Sequence, residues 1–384
     1  MKFLYVAPRF HPNQYPIIEG LISKGHEVMF CVSRIGSTEK HDGVTVKLMT
    51  PSAATKRDYE KACRKGENYA EDKMIFWFSP DKKEVFEILR QYSPDVVIMR
   101  ERNMLSLAFA NACRSLKIKK VILYNQSPIY NEKGGNFFKN ALKELWRSRF
   151  PKTRITVCRY KDFPREGVNY IEDKNAHFLP FIIRERSELP EREYCKDGTV
   201  RIFDCGKYRP YKNHTVLVDA AKRIVDKGIK NFHITIVGQA SSPEEIEYFE
   251  SLKKKIAELG LDAYFDVEKS VPYDQMPKLF LSHDVFVLTS KRELANVSIL
   301  DAMSYAMPVV ATSDNGTSDY VVPETTGHIF KTNDPDDLSE KLEFYLSDPD
   351  KISEFGKNAL AHVVKNHSFD SYYESLMSVI SSIK

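Results

Sequence analysis

The sequence predicts an α/β protein of two domains, each built on a parallel sheet, and three observations carry that reading. Short apolar, β-rich runs alternate with stretches of helical periodicity. The 384 residues exceed what one hydrophobic core comfortably serves. A charged stretch from Glu185 to Gly198, carrying Pro190, separates one alternating series from a second. The expected domains are therefore residues 1–190 and 191–367, and two domains imply a cleft.

In the first series Phe3 to Ala7 reads as a strand, Tyr15 to Ser23 as a helix closed by Gly25, and His26 to Val32 as a second strand. Asp95 to Met99 and Lys120 to Tyr124 are two more strands, with a helix over Leu105 to Leu116 between them. The second series opens with the strand Arg201 to Cys205, then a helix over Thr215 to Lys227, the strand Phe232 to Val237 and a helix over Pro243 to Leu259. Asp284 to Leu288 is continuously apolar after its first residue, as a strand buried on both faces should be. Pro308 to Thr312 is another strand, Asp337 to Leu346 a helix that Asp334-Pro335-Asp336 would cap, and Phe369 to Ile383 the closing helix.

Composition excludes several classes. The 42% apolar and 12% aromatic content supports globular cores, and no low-complexity segment or repeat interrupts them. The amino terminus lacks the long apolar region of a signal peptide, and no run reaches the 18 to 20 apolar residues of a membrane span. Six scattered cysteines show no metal-ligand spacing and fit a reducing cytoplasm. The net charge of +4 hides an asymmetry: residues 1–190 hold 34 Lys and Arg against 22 Asp and Glu, the remainder 23 against 31. A basic first half suits an anionic counterpart such as a membrane surface, a phosphorylated lipid or an acidic glycan. Nucleic-acid motifs are absent from the sequence, so no nucleic-acid partner is expected.

The most informative stretch is Lys291 to Met303. Glu293 lies at the carboxyl end of an apolar strand, and Asp301, eight residues on, lies in the first turns of a helix whose apolar positions begin near Val297. A helix start offers unpaired N–H groups and partial positive charge, which suit phosphate, while carboxylates accept hydrogen bonds from sugar or ribose hydroxyls. The expected ligand is a sugar nucleotide. Taken alone, the two acids also read as a solvated strand-end acid and a helix-start acid.

At these residues the chain resembles the retaining GT-B glycosyltransferases of family 4 (glycosyl transferases group 1). That signature is Glu, seven residues, Glu, then an Ala-Met segment and a Pro-Val-Val-Ala-Thr strand, matched here by Glu293, Asp301, Ala302-Met303 and Pro308 to Thr312. Asp301 replaces the second Glu, and Leu294, Ala295 and Asn296 stand where the family has glycines. Further matches are Gly206-Lys207-Tyr208-Arg209-Pro210-Tyr211-Lys212, the loop Ser313 to Val321 and the segment Thr326 to Phe330, in place of the family's Thr-Gly hairpin. The resemblance covers roughly residues 200 to 350.

It implies a GT-B fold, two Rossmann-like domains with parallel sheets facing across a cleft, and a closing helix over 368–384 that packs back on the first domain. Glu293 would contact the donor sugar, Asp301 the ribose, and Lys207 with Lys212 the diphosphate, with Arg209 competing for the first cation's role. Gly206 and the residues Ala295, Asn296 and Val297 would complete donor binding, their amides helping to orient the sugar. Val271-Pro272-Tyr273 falls where the family places the base, although Tyr273 also reads as packing. Gly238 reads as ordinary turn chemistry.

The first domain departs further from the pattern. Where the family has a Gly-Gly loop, this chain has Arg9-Phe10-His11-Pro12-Asn13-Gln14; where many members have a donor-contacting histidine, it has Asn125-Gln126. His11, Asn13, Gln14, Arg100, Arg102, Asn125 and Gln126 are the candidate cleft residues of this domain, for acceptor or donor. Simple ion pairing for the run Arg100-Glu101-Arg102 and a satisfied loop role for His11 are the competing readings. Residues 137–152 form a basic amphipathic stretch with Phe138, Leu142, Leu145 and Trp146 on one face. Two readings stay open for it: docking on an anionic membrane, or burial of that face in the domain.

The resemblance thus implies a metal-independent hexosyl or other glycosyltransferase acting with retention. It would move a sugar from a nucleotide-diphosphate donor to a glycan or lipid-linked acceptor, in bacterial-type polysaccharide or glycoconjugate synthesis. No cofactor and no metal are expected; the donor, whether UDP-, GDP- or ADP-linked, is a substrate. The expected location is cytoplasmic, as a peripheral membrane protein if the basic half meets lipid. The alternatives are a degenerate GT-B subunit that binds nucleotide without transfer, or a sugar-nucleotide epimerase of the same fold.

Overall fold

The structure, a computed structural model, describes residues 1–35, 43–64, 66, 73–100, 102–126, 130–133, 137–158, 169–184 and 192–383. Contacts group the chain into two units, one of Met1–Val157, Asn169–Pro180 and Phe369–Lys384, the other of Cys158–Val168 and Phe181–Ser368. The division expected at residue 190 falls in 185–191, outside the described residues, as does Glu101.

The first unit contains β1 (Lys2–Ala7), β2 (Glu27–Val32), β3 (Thr45–Leu48), β4 (Val96–Arg100), β5 (Val121–Asn125), β6 (Tyr130–Lys133), β7 (Arg154–Thr156), β8 (Asn169–Glu172) and β9 (Ala176–Phe178). Seven of them form a parallel sheet in the order β3-β2-β1-β4-β5-β7-β9, while β6 and β8 pair antiparallel in a separate ribbon. The second unit contains β10 (Val200–Cys205), β11 (Phe232–Gly238), β12 (Phe265–Lys269), β13 (Val285–Leu288), β14 (Val309–Thr312) and β15 (Gly327–Phe330), in the parallel order β12-β11-β10-β13-β14-β15. In each sheet the chain winds outward from a central strand, first one way and then the other. This is the doubly wound Rossmann-like arrangement, whose crevice opens where the strand order reverses, at β1/β4 and at β10/β13.

The apolar runs explain the centre of each sheet. Val96 to Met99 and Val285 to Leu288 are wholly buried, because helices cover both faces of a parallel sheet. Strands β3, β7, β9 and β12 were not legible in the sequence. They lie toward the sheet edges, and runs such as Phe265-Asp266-Val267-Glu268-Lys269 are too short and polar to stand out. The helices Ala53–Cys63, Lys82–Tyr92 and Asp350–Asn366 were also unread.

Two expectations change. The Thr326 to Phe330 segment is not a hairpin: Glu324 N–H donates to the Gly327 carbonyl in a turn, and β15 then runs parallel to β14 as the sheet edge. The helix Phe137–Arg147 buries only part of its apolar face. Trp146 is half-buried and packs edge-on against Phe150, whereas Leu142 and Leu145 are 67% and 57% exposed; the side chains of Phe138, Lys139 and Lys143 lie outside those described. Asp334 caps its helix as expected, accepting from Asp336 and Asp337 N–H. The closing helix Phe369–Ser382 belongs to the first unit and contacts the helix Tyr15–Ser23. Among the described residues no helix is long and apolar enough to cross a membrane.

Candidate active site

At the carboxyl edge of β10 and β13 the second unit encloses a cavity of about 820 Å³. The loop after β10 brings Gly206, Lys207 and Lys212 to it, the loop after β13 brings Glu293, Ala295, Asn296 and Val297, and the helix that follows, Ser298–Ser304, brings Asp301. These positions lie at the reversal of strand order, where doubly wound sheets bind ligands.

Tyr208 explains how the first loop is set. Its ring is fully buried and its hydroxyl lies 2.6 Å from the Glu268 carbonyl oxygen and 3.0 Å from that of Ile236, so the loop is pinned at its middle. Lys207 on one side faces the cavity. Arg209 on the other does not line it: its Nε donates to Glu245 Oε1 at 2.7 Å, and Glu245 also closes the capping box of the helix Pro243–Glu258. Arg209 is thus drawn away from the place expected for it by a carboxylate that sequence spacing could not reveal.

Lys212 is 7% exposed, and its Nζ lies 2.8 and 2.9 Å from the two carboxylate oxygens of Glu293. Gly206 makes room for that reach, since a Cβ there would stand 3.1 Å from Lys212 Cε. Asn296 connects this ion pair to the following helix, Ser298–Ser304. Its Nδ2 donates to Glu293 Oε2 at 3.2 Å, and its Oδ1 accepts from the Ser298 N–H at 2.8 Å and from the Ser298 hydroxyl. The Asn296 backbone N–H, expected to help orient the sugar, donates to Thr317 Oγ1 in this structure. Asp301, in the first turn of that helix, lines the cavity.

Beneath the ion pair lies a buried polar layer that the sequence did not announce. The Thr289 hydroxyl is 2.7 Å from the Lys212 carbonyl oxygen and 3.1 Å from Asp204 Oδ2. It has one proton for two acceptors, the Lys212 carbonyl and the Asp204 carboxyl. Burial pushes the Asp204 carboxyl up to about 7, against the opposing pull of Lys212 and Thr289. His214 Nε2 lies 4.0 Å from the same carboxylate oxygen, and burial followed by the Lys212 charge holds its imidazole down at about 3. It is a neutral histidine packed against Tyr208 and Tyr248.

The opposite wall is apolar and aromatic: Val271, Met276, Pro277 and Phe280, with Tyr305 stacked on Phe280 at 5.2 Å. The Tyr273 side chain is outside those described. Gly238 also lines the cavity, but turn chemistry is not what requires it. It ends β11, and a Cβ there would stand 2.0 Å from the Gly206 carbonyl oxygen. Arg184 and Ile183 reach the cavity from a segment fixed by Ile183 N–H on the His367 carbonyl and by His367 Nδ1 at 2.7 Å from the Phe181 carbonyl.

In the first unit the candidates divide. His11 is half-buried, accepts from Asn13 N–H at Nδ1, and is held down at about 4 by burial, Arg100 and Arg9, which places these three groups together beyond β1 and β4. Gln14 is buried with its Oε1 unpartnered, and Asn13 Oδ1 is likewise buried without a partner. Arg102 stands apart among Arg147, Arg154, Asp173 and Glu144, lowered to about 10 by burial first and then by the two arginines. Asn125 is buried and structurally engaged: Arg154 donates to its Oδ1 at 3.0 Å and pairs with Asp173. Gln126 follows β5, half-buried. Among the described residues there is no cluster of three or more His, Cys, Asp or Glu fit to hold a metal.

Residues 186–362 match the family model described as glycosyl transferases group 1. The chain is 24% identical over 171 residues to the alpha-1,3/1,6-mannosyltransferase ALG2 of Mus musculus, a match covering 44% of this chain and 40% of that protein. It spans less than half the length of the relatives it matches. A glycosyltransferase from Rickettsia africae superposes with a TM-score of 0.70 at 16% identity, covering 99% of this chain and 97% of that one. The Anabaena protein Alr3699/HepE, solved in complex with UDP, superposes with a TM-score of 0.71 at 14% identity over 100% of both chains. These structures establish the fold: two Rossmann-like α/β domains with parallel sheets, as in GT-B glycosyltransferases.

Proposed function

We propose that this chain, which carries a group 1 glycosyl transferase domain, transfers a sugar from a nucleotide-diphosphate donor held by its second unit to an acceptor held by its first. The observation that carries the reading is the Lys212–Glu293 pair, set with Asp301 and Lys207 around one cavity at the β10/β13 reversal. An ammonium has three protons; two meet Glu293, and the third is available for a phosphate oxygen. Lys212 and Lys207 stabilise the negative charge that grows on the departing diphosphate, without a metal. Glu293 accepts hydrogen bonds from the donor sugar, Asp301 from the ribose, and the wall of Val271, Met276 and Phe280 receives the base. The acceptor hydroxyl attacks the anomeric carbon on the face the diphosphate leaves, with retention, and the leaving phosphate takes its proton. The acceptor is a glycan or a lipid-linked sugar, as in polysaccharide or glycoconjugate synthesis.

A thermal-shift screen of the purified chain against UDP, GDP, ADP and their sugar conjugates tests the donor assignment. One nucleotide series should raise the Tm and the Glu293→Ala variant should lose transfer. Stabilisation by none of them, or unchanged turnover in that variant, would sink the reading.

A further inference from the structure

The aromatic wall of the donor cavity is held through its backbone by a residue that does not line it. Arg192 Nη1 carries two protons and lies 2.8 Å from both the Phe280 and the Tyr305 carbonyl oxygens. Phe280 is in the last turn of the helix Met276–Ser282, and Tyr305 directly follows the helix Ser298–Ser304. Both carbonyls are thus of the kind that a helix end leaves without a partner inside the helix. One guanidinium ties the two carboxyl ends together, and helix dipoles favour a cation at that end. The side chains of the same two residues line the cavity, their rings stacked 5.2 Å apart and 6° from parallel.

The clamp is itself fixed. The Arg192 guanidinium lies 4.9 Å from the centre of the Tyr194 ring, and the Tyr194 hydroxyl donates to the Ala306 carbonyl at 2.8 Å. Gly356 leaves room for that bond, since a Cβ there would stand 2.2 Å from the Ala306 carbonyl oxygen and 2.8 Å from the Tyr194 hydroxyl oxygen. Next along, the Cys195 N–H donates to Asp284 Oδ1 at 2.9 Å, while Asp284 Oδ2 accepts from the Arg201 N–H at 2.7 Å. The segment carrying Arg192 is therefore moored at the amino ends of β10 and β13, and it reaches from there to the backbone of the wall.

A flat base gains from an aromatic wall only while contact is close, because a gap of about 0.5–1 Å forfeits a quarter to a half of the dispersion attraction. We propose that Arg192 is a positioning residue for nucleotide binding: by holding the Phe280 and Tyr305 backbones it sets the wall on which the base of the donor rests. The inference rests on the donor reading given above, and it concerns the base end of the site, whereas Lys207 and Lys212 serve the phosphate end.

Isothermal titration of the full chain with UDP, GDP, ADP and pyrophosphate tests it. For whichever nucleotide binds the wild type, Arg192→Met should lose about fivefold or more in affinity, while pyrophosphate affinity changes by less than about twofold. In turnover the same variant should raise KM for the sugar nucleotide by a similar factor and leave kcat within about twofold, because base contacts are made equally before and during the reaction. Arg192→Lys, which returns a cation and its donors, should bind the nucleotide more tightly than Arg192→Met. Should Arg192→Met fold poorly, Tyr194→Phe, which removes only the hydroxyl that meets Ala306, should weaken nucleotide binding by about twofold and spare pyrophosphate. Wild-type nucleotide affinity in the variants, or an equal loss of nucleotide and pyrophosphate affinity, would overturn the proposal and leave the donor reading standing. A wild-type chain that binds none of the three nucleotides would defeat the donor reading and this inference with it.

Discussion

Lys212 Nζ sits 2.8 and 2.9 Å from both carboxylate oxygens of Glu293, a residue 81 positions away on the other side of the strand-order reversal. The pair does two things at once. It neutralises an ammonium that is almost wholly buried, and it fixes the carboxylate beside the helix start that bears Asp301. Lys212→Ala should therefore lower both stability and turnover: up to about 3 kcal/mol for leaving a largely buried carboxylate without its cation, and about a hundredfold or more in kcat for loss of charge stabilisation at the leaving group. Glu293→Gln keeps the volume, and it should reduce kcat far more than it lowers the Tm. Chemical denaturation alongside steady-state kinetics separates the two effects, and a Lys212→Ala enzyme with wild-type kcat would remove Lys212 from the mechanism.

Asn296 offers a sharper dissection because its two side-chain atoms serve different partners. Nδ2 donates to Glu293, while Oδ1 accepts from the Ser298 N–H at the start of the helix. Asn296→Ala loses both, and the Ser298 hydrogen bond alone should contribute about 1 kcal/mol. Asn296→Asp retains an oxygen for the Ser298 N–H but sets a second negative charge against Glu293. Its Tm should stay closer to wild type than that of the alanine variant, while its affinity for the nucleotide-sugar donor falls at least as far. Equal donor affinity in Asn296→Asp and wild type would show that Asn296 acts on the helix only.

How much of this was readable in the chain depended on where each residue finds its partner. The central strands were legible because a strand buried on both faces must be apolar throughout, as Val96 to Met99 and Val285 to Leu288 are. Glu293 and Asp301 stood out because polar residues interrupt the apolar pattern at a strand end and at a helix start, whereas Lys207 and Lys212 were picked out through the family resemblance. Arg209 misled because its neighbour in space, Glu245, is 36 residues on and belongs to a helix cap. Asp204, Thr289 and His214 were invisible because a buried hydrogen-bonded layer has no periodicity of its own. Gly238 was seen but given the wrong cause, since only the fold reveals the Gly206 carbonyl against it.

That contact makes its own prediction. Gly238→Ala would force a methyl group to 2.0 Å from the Gly206 carbonyl oxygen and 2.8 Å from the Tyr208 ring, so the loop carrying Lys207 must shift. Overpacking of this kind costs about 1–3 kcal/mol. The displaced loop should also weaken nucleotide binding, whereas plain turn chemistry would tolerate alanine at this position, whose φ is not positive. A variant with unchanged Tm and unchanged nucleotide affinity would restore the turn explanation.

Asp204 makes the site's foundation sensitive to pH. Its carboxyl is raised from 3.8 to about 7, so the folded state holds a proton that the unfolded chain releases near 4. The stability this contributes is fully present below about 4 and is lost as pH rises through 7. His214 works in the opposite sense: lowered from 6.5 to about 3, it contributes stability above 6.5 that is lost as pH falls toward 3. Between roughly 4 and 6.5 the two slopes oppose each other; above 6.5 only that of Asp204 remains. Asp204→Asn preserves the shape and an acceptor for Thr289, but cannot ionise. Its Tm relative to wild type should therefore rise between pH 6 and pH 8, the interval in which the native protein acquires a buried charge below Lys212. The Asp204→Leu control loses the Thr289 partner and should be destabilised at both ends of that range. Parallel pH profiles for wild type and Asp204→Asn would mean that the carboxylate is already ionised at pH 6, held so by Lys212, and that the Thr289 hydroxyl donates to Asp204 rather than to the Lys212 carbonyl.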